Sequence, residues 1–332
     1  MKTPDIESLV PVPEVWDRMA LVESRLIEVT QSSNEFLSGI SRHYLTAGGK
    51  RFRPLLSQLA AQLGPVQDSR AVDAGVAVEL IHVGSLYHDD VIDESDTRRG
   101  ATSANSNWDN TIAILAGDFV LARASEVAAR SLGQEGVILL AQTYAQLCEG
   151  QVLELQLAGD LDHGVEDYYR VIEDKTASLI RTAARLGAMA SRADEQVMEA
   201  VSSWAWELGI AFQLIDDVLD LVADSDSIGK PAGSDVGEGT FTLPVLAALE
   251  ADAGGELRRL LAEPRPYPSS TVDRVIQATR EGGFVDAGIA DAEDRIRRAH
   301  KALDELPLTD DREVMRGLGT YLLGQIDQAR AA

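Results

Sequence analysis

One cysteine, Cys148, stands in 332 residues. It cannot close an internal disulfide, and its helix-like surroundings predict a small buried hydrophobe. Aromatic residues make up only 5% of the chain. No uninterrupted apolar run reaches the roughly 18 residues a spanning helix needs, so no transmembrane segment is expected. Cations are also short: 30 Lys and Arg against 54 Asp and Glu give a net charge of −24 and a pI near 4.5. That balance argues against nucleic acid as a partner and against a membrane surface held by charge. The first residues carry Asp5, Glu7, Glu14 and Asp17 without an apolar core; no signal peptide and a reduced, cytoplasmic setting are the expectation. CxxC, HExxH and G-x-x-x-x-G-K-[ST] runs are missing, so zinc and P-loop chemistry have no support. Alternating β-branched runs between Asn-Gly or Asp-Gly turns are missing too.

What is present is helical periodicity. Hydrophobic residues make up 45% of the chain, ample for a large core, and a single all-α domain over residues 1–332 is expected. Apolar residues recur every three or four positions through 14–30, 54–64, 71–95, 110–131, 136–159, 167–190, 196–222, 270–281, 284–304 and 312–330. Glycine and proline break the pattern at Gly48-Gly49, Gly64-Pro65, Gly133, Gly164 and, at greatest length, from Gly229 to Pro244. That last stretch reads as a mobile, lid-like loop.

The most informative feature is a repeat of spacing. Asp89-Asp90-x-x-Asp93 and Asp216-Asp217-x-x-Asp220 each follow an apolar helical lead, Leu80–Tyr87 and Ile210–Ile215. Residues four apart on a helix lie about 40° apart in angle, so Asp89 and Asp93 share a face, as do Asp216 and Asp220. Carboxylates about 4 Å apart repel by roughly 1 kcal/mol in water and roughly 4 kcal/mol at an effective dielectric near 20. Such a cluster needs full solvation or a cation, and its recurrence favours the cation. Oxygen donors in this number suit magnesium, which takes one or two carboxylates together with substrate phosphates and water.

Lysine is scarce at five residues against 25 arginines. A chain that mostly uses arginine keeps lysine where a compact, flexible charge is wanted. Lys50 lies in Gly48-Gly49-Lys50-Arg51-Phe52-Arg53-Pro54, Lys175 precedes Thr176, and Lys230 lies in the glycine-rich stretch. Arg98 and Arg99 come a few residues after the first triplet. Taken singly these read as surface charges; taken with the triplets they describe a site for metal-bridged polyphosphate, diphosphate above all.

These residues lie in longer blocks: GGKRFRP at 48–54, ELIHVGSLYHDDVIDESDTRRG at 79–100, AGDFVLARA at 116–124, KT at 175–176, FQLIDDVLD at 212–220 and GKPAGSDVGEG at 229–239. In content and order they resemble the trans-isoprenyl diphosphate synthases, or polyprenyl synthetases, over essentially the whole chain. The resemblance implies an isoprenoid synthase fold, a bundle of roughly a dozen helices around a deep cavity. It implies head-to-tail addition of isopentenyl diphosphate to an allylic diphosphate, trans double bonds, Mg2+ as cofactor and a homodimer.

Carried over position by position, the resemblance gives Asp89, Asp90, Asp93, Asp216, Asp217 and Asp220 to magnesium. Arg98, Lys175, Thr176, Gln213 and Lys230 fall to the allylic diphosphate or its metals, and Lys50, Arg53, His82 and Arg99 to isopentenyl diphosphate. His82 lies seven residues before Asp89, two turns with little angular drift; on its own it reads as a core histidine. The chemistry implied is ionisation of the allylic carbon–oxygen bond, attack by the isopentenyl double bond on the carbocation, and proton loss to the departing pyrophosphate. No Ser, Cys or His nucleophile is required. One departure is Thr240, where the family commonly has lysine after Glu-Gly; weaker allylic binding is expected from it.

Chain length is read from the helix before Asp89. Short-chain members place an aromatic plug four or five residues before this position, where this chain has Ser85 and Gly84, with Ile81 a turn deeper. A tunnel at least one turn of about 5.4 Å deeper predicts a product of about thirty to fifty carbons. Geranylgeranyl diphosphate is the alternative product, and Phe119 on 110–131 is an alternative floor. The competing readings are the catalytic subunit of a heteromeric synthase, a regulatory or structural subunit that only partners a catalytic chain, and a terpene cyclase. The cations at 50–54 speak against the cyclase, which needs no second diphosphate site.

Overall fold

The structure is a computed structural model that describes residues 6–222, 232–252 and 254–331. Its helices are α1 (Ile6–Leu9), α2 (Pro13–Val29), α3 (Glu35–Ser41), α4 (His43–Thr46), α5 (Phe52–Gln62), α6 (Ser69–Ile92), α7 (Ala104–Asn107), α8 (Asn110–Ser131) and α9 (Gly133–Leu157). They continue as α10 (Val165–Ile172), α11 (Ser178–Ala190), α12 (Glu195–Val222), α13 (Ser234–Glu238), α14 (Leu243–Ala251), α15 (Glu256–Leu261), α16 (Ser269–Glu281), α17 (Phe284–Leu303) and α18 (Asp310–Ala331). The strand content among the described residues is one small antiparallel pair, β1 (Thr97–Arg98) and β2 (Ala101–Thr102), with Thr97 opposite Thr102.

Helix starts obey local chemistry. Asp68 caps α6 by accepting from the Arg70 N–H at 3.0 Å, and Asp109 caps α8 by accepting from the Ile112 N–H at 2.8 Å. Proline opens α2 and α14, where a missing N–H costs nothing.

The chain divides into two compact units. One comprises Val12–Ala145 and Leu179–Ser202, the other Met1–Pro11, Gln146–Ser178 and Ser203–Ala332. In the first, α6 is the axis and packs on α2, α5 and α8. Its buried residues go all the way round, Val76, Leu80, Val83 and Tyr87 among them, as a helix surrounded by others requires. In the second, Trp204, Leu208 and Leu214 of α12 form one buried face, and α14, α16, α17 and α18 bury Val245, Val275, Ile296 and Leu318.

Three expectations change. Cys148 is exposed rather than buried, because it falls on the outer stripe of α9 with Ile138, Val152 and Leu155. The 167–190 helix is interrupted at Glu173–Ala177 by one π-helical turn, after which α11 begins. Finally, the described part of the glycine-rich stretch is not a free loop. Residues 234–238 form α13 with Val236 buried, and an ideal Cβ at Gly233 would lie 2.5 Å from Ile276 Cδ1 of α16. One buried valine and close backbone approach suffice to dock a segment whose composition is polar.

Candidate active site

In the first unit, the last turn of α6 carries the first triplet. Asp89 is half-buried, Asp93 is exposed and Asp90 is fully buried, since adjacent helical residues point about 100° apart. Both Asp90 oxygens are engaged. Arg98 places Nη2 at 2.6 Å and Nε at 2.7 Å from Oδ1, and the Tyr44 hydroxyl donates to Oδ2. Tyr44 also accepts from the Ala104 N–H at 2.6 Å, which ties α4 and α7 to the carboxylate. Asp90 and Arg98, assigned from sequence to metal and diphosphate, here satisfy one another. Tyr44 left no sequence signal.

A cluster of cations surrounds His82 in the same unit. Arg99 Nη2 lies 3.3 Å from His82 Nε2, and Arg99 Nη1 donates to the carbonyls of Tyr44 at 3.1 Å and Gly48 at 2.6 Å. Gly49 has a φ of 146°, and its ideal Cβ would meet the Arg99 guanidinium at 2.9 Å; only glycine fits there. Arg51 is structural: it binds Glu23 at 2.5 Å, Glu79 at 2.9 Å and the Leu45 carbonyl at 2.6 Å. Burial pushes the Glu79 carboxyl up even though Arg51, Arg53 and Arg99 pull it down.

Burial, with Arg99 adding to it, lowers the Arg53 guanidinium, and burial with Arg51 and Arg98 lowers Arg99. His82 is held well below its ordinary value by burial and then by Arg53, Arg99, Arg51 and Arg98. Arg53 Nε is buried with no hydrogen-bond partner among the described residues. Lys50 is exposed beside this cluster in sequence. Cations crowded this closely, with one orphaned donor, are a setting for an anion.

The second triplet lies on α12 in the other unit. Asp216 is exposed, while Asp217 and Asp220 are buried. Asp217 Oδ2 accepts from the Tyr168 hydroxyl at 2.5 Å and Oδ1 from Gln213 Nε2 at 2.8 Å. Gln213 Oε1 in turn accepts from Thr176 Oγ1 at 2.9 Å. One hydrogen-bonded chain thus runs from the π-turn through Gln213 to the triplet. Burial pushes the Asp217 carboxyl up to about 7 despite the Tyr168 and Gln213 bonds, and the charges of Asp216 and Asp220 add to the rise. Asp220 accepts from Ser234 Oγ at 2.8 Å and from the Asp235 N–H at 3.3 Å, anchoring α13. Lys175 is paired with Glu154 of α9. Lys230 lies outside the described residues.

Tyr168 and Glu154 are not marked out by the sequence. Tyr168 precedes Lys175 by two helical turns, a spacing that places it near the same face, but a tyrosine in a helix is more often plain core.

The chain-length positions are partly revised. Gly84, read as open space, is closed over: its ideal Cβ would lie 2.7 Å from Leu121 Cγ and 3.4 Å from the Gly117 carbonyl. The glycine is small because α8 crosses there. Ile81 is buried. Ser85 is half-buried, its hydroxyl donating to the His82 carbonyl at 2.9 Å, and Tyr87 is turned away, donating to the Ile40 carbonyl at 2.5 Å.

Among the described residues no three His, Cys, Asp or Glu side chains gather closely enough to hold a metal unaided. Asp89, Asp93 and Asp216 are the triplet members with accessible surface. One or two carboxylates per ion, completed by phosphate and water, is the magnesium pattern, so the donor set fits that metal.

Among the described residues the chain is helical apart from one short strand pair, and with its two aspartate triplets and cation clusters it has the features expected of an isoprenoid diphosphate-handling fold. The polyprenyl synthetase family description matches residues 34–279, and the chain belongs to that family. It is 44% identical to nonaprenyl diphosphate synthase of Mycobacterium tuberculosis over 78% of this chain and 77% of that one. It is 34% identical to heptaprenyl diphosphate synthase component 2 of Geobacillus stearothermophilus, over 92% and 95%. Among solved structures it is similar to a polyprenyl synthase from Caulobacter crescentus, complexed with calcium and isoprenyl diphosphate, at 32% identity. That match has a TM-score of 0.90 and covers 97% and 98% of the two chains.

Proposed function

We propose that this chain is a magnesium-dependent trans-prenyltransferase that extends an allylic diphosphate with isopentenyl diphosphate. The observation that carries the reading is the chain Thr176–Gln213–Asp217, which ties the lysine–threonine pair to the second triplet. Lys175, Thr176 and Gln213, with Lys230, bind the allylic diphosphate. Asp89 and Asp93 on α6, and separately Asp216 on α12, are the carboxylates offered to magnesium, while Asp90, Asp217 and Asp220 anchor Arg98, Gln213 and α13 behind them. Lys50, Arg53, Arg99 and neutral His82 hold isopentenyl diphosphate, whose phosphates satisfy the orphaned Arg53 Nε.

Bound magnesium supplies Lewis-acid stabilisation of the negative charge on the departing pyrophosphate. Lys175 and Thr176 orient the same leaving group. Apolar walls keep water from quenching the carbocation. Ser85 and Ile81 leave no aromatic plug at one turn or two before Asp89, and each helical turn of about 5.4 Å admits about one isoprene unit, which supports a product of about thirty to fifty carbons. The nonaprenyl and heptaprenyl names of the relatives agree.

A homodimer is part of this reading; Ile114 and Leu115 of α8 and Ile138 of α9 are large apolar side chains left exposed in the single chain. Heptaprenyl synthase component 2 is by name one part of a larger enzyme, which keeps the catalytic-subunit reading as the second one. Incubating the purified chain alone with radiolabelled isopentenyl diphosphate, farnesyl diphosphate and magnesium separates the two. Solvent-extractable label from the single chain supports the first, and label only after a second protein is added supports the other.

A further inference from the structure

Lys175 is not presented to solvent as a bare cation: its ammonium is paired with Glu154, a residue that the reaction does not call for. The pairing is built. Gln151 Nε2 donates to the same Glu154 oxygen at 3.2 Å. At Gly150 an ideal Cβ would lie 2.9 Å from Asp174 Cβ and 3.0 Å from Lys175 N and Cγ. The glycine lets α9 press against the π-turn and brings Glu154, one helical turn on, to the lysine. A π-turn inserts a residue into the helix and re-aims the side chains beyond it, a device common at functional sites. Both side chains are about a quarter exposed, 29% for Lys175 and 26% for Glu154. An ion pair this open is weak enough to exchange, because water screens it and both side chains keep their mobility.

We propose that Glu154 is a positioning residue that competes with diphosphate for Lys175, taking the ammonium back after each condensation and so loosening the hold on released pyrophosphate. The proposal rests on the assignment of Lys175 to the allylic diphosphate site. An elongating enzyme must expel pyrophosphate and seat the lengthened diphosphate again at every cycle. A cation without a competing carboxylate would hold the by-product and the substrate alike.

The test measures inhibition by pyrophosphate, and KM for both substrates, in wild type, Glu154→Gln, Lys175→Gln and the double variant, all with magnesium present. Glu154→Gln is expected to lower the pyrophosphate inhibition constant and the allylic KM by about twofold to fivefold, the scale of a partly exposed ion pair. The KM for isopentenyl diphosphate stays put, and in the Lys175→Gln background the substitution has no effect. Glu154→Asp, with its carboxylate set back by a methylene, shows a smaller tightening and reads the same sign should the glutamine variant fail to fold. Weaker pyrophosphate binding in Glu154→Gln, as loss of a mere brace would give, overturns the proposal. So does a tightening that persists without Lys175, which would be a field effect of the lost charge. If Lys175→Gln alone leaves pyrophosphate inhibition and allylic KM unchanged, the lysine assignment itself falls.

Discussion

Arg98 and Asp90, eight residues apart, meet at 2.6 Å between Nη2 and Oδ1 on a carboxylate with no exposed surface. The pair, closed by Tyr44, divides the first triplet into an inward anchor and two outward carboxylates. The two roles separate experimentally. Asp89→Ala and Asp216→Ala should each cut turnover by about 10²–10³-fold, the loss of roughly 2.7–4 kcal/mol of transition-state charge stabilisation, with the melting temperature held. Asp90→Ala should cost about 1–3 kcal/mol of stability, because it leaves the buried Tyr44 hydroxyl unpaired and takes the closest carboxylate from Arg98. Thermal denaturation beside steady-state turnover reads both; equal stability loss in all three variants would contradict the division.

Arg53, with its orphaned buried Nε, should govern one substrate only. Arg53→Ala is expected to raise KM for isopentenyl diphosphate at least about tenfold, the loss of a charge-assisted hydrogen bond, with the allylic KM little changed. Equal effects on both substrates would undo the assignment of two anion sites.

His82 sets a pH dependence of stability. Its folded-state pKa is depressed, by burial first and then by four arginines, and Arg99 donating toward Nε2 requires that nitrogen unprotonated. In the unfolded chain the ring titrates near its ordinary value of about 6.5. Below that pH the unfolded state binds a proton that the folded state refuses, so stability is lost as pH falls, with a slope approaching about 1.4 kcal/mol per unit. Chemical denaturation from pH 7.5 to 5.5 should show a shallower slope in His82→Gln than in wild type. Identical slopes would place His82 outside the cationic cluster.

Chain length should respond unequally at neighbouring positions. Ser85→Phe is expected to fold and to shift products toward fifteen or twenty carbons, since a plug about one turn from the metal-binding face stops elongation there. Gly84→Phe should instead destabilise the protein by about 1–3 kcal/mol or more, because Leu121 and the Gly117 carbonyl already fill its space. Thin-layer analysis of dephosphorylated products beside thermal melts decides; unchanged products in Ser85→Phe would remove that position from the tunnel.

Much of this architecture is legible in the sequence because periodicity and caps act locally. The spans of α6, α8, α12, α16 and α17 fall within a few residues of their apolar repeats. The residues proposed to carry the chemistry stand out in the sequence because few side-chain types suit metal and diphosphate. What stayed hidden depends on partners far away in the chain. Tyr44 reaches Asp90 across 46 positions, Tyr168 reaches Asp217 across 49, and Leu121 closes over Gly84 from another helix. The buried and accessible members of each triplet are likewise indistinguishable by spacing, since only the packing around α6 and α12 tells them apart. Docking of α13 through Gly233, Val236 and Asp220 was masked by a composition that reads as loop.

Condensation releases one pyrophosphate for each isopentenyl unit joined. Purified chain, farnesyl diphosphate, isopentenyl diphosphate and magnesium should therefore release pyrophosphate and incorporate isopentenyl units in equal amounts. Both should stop with EDTA, return with magnesium and yield an all-trans polyprenyl diphosphate longer than twenty carbons. Pyrophosphate released from the allylic substrate without isopentenyl incorporation would contradict the account.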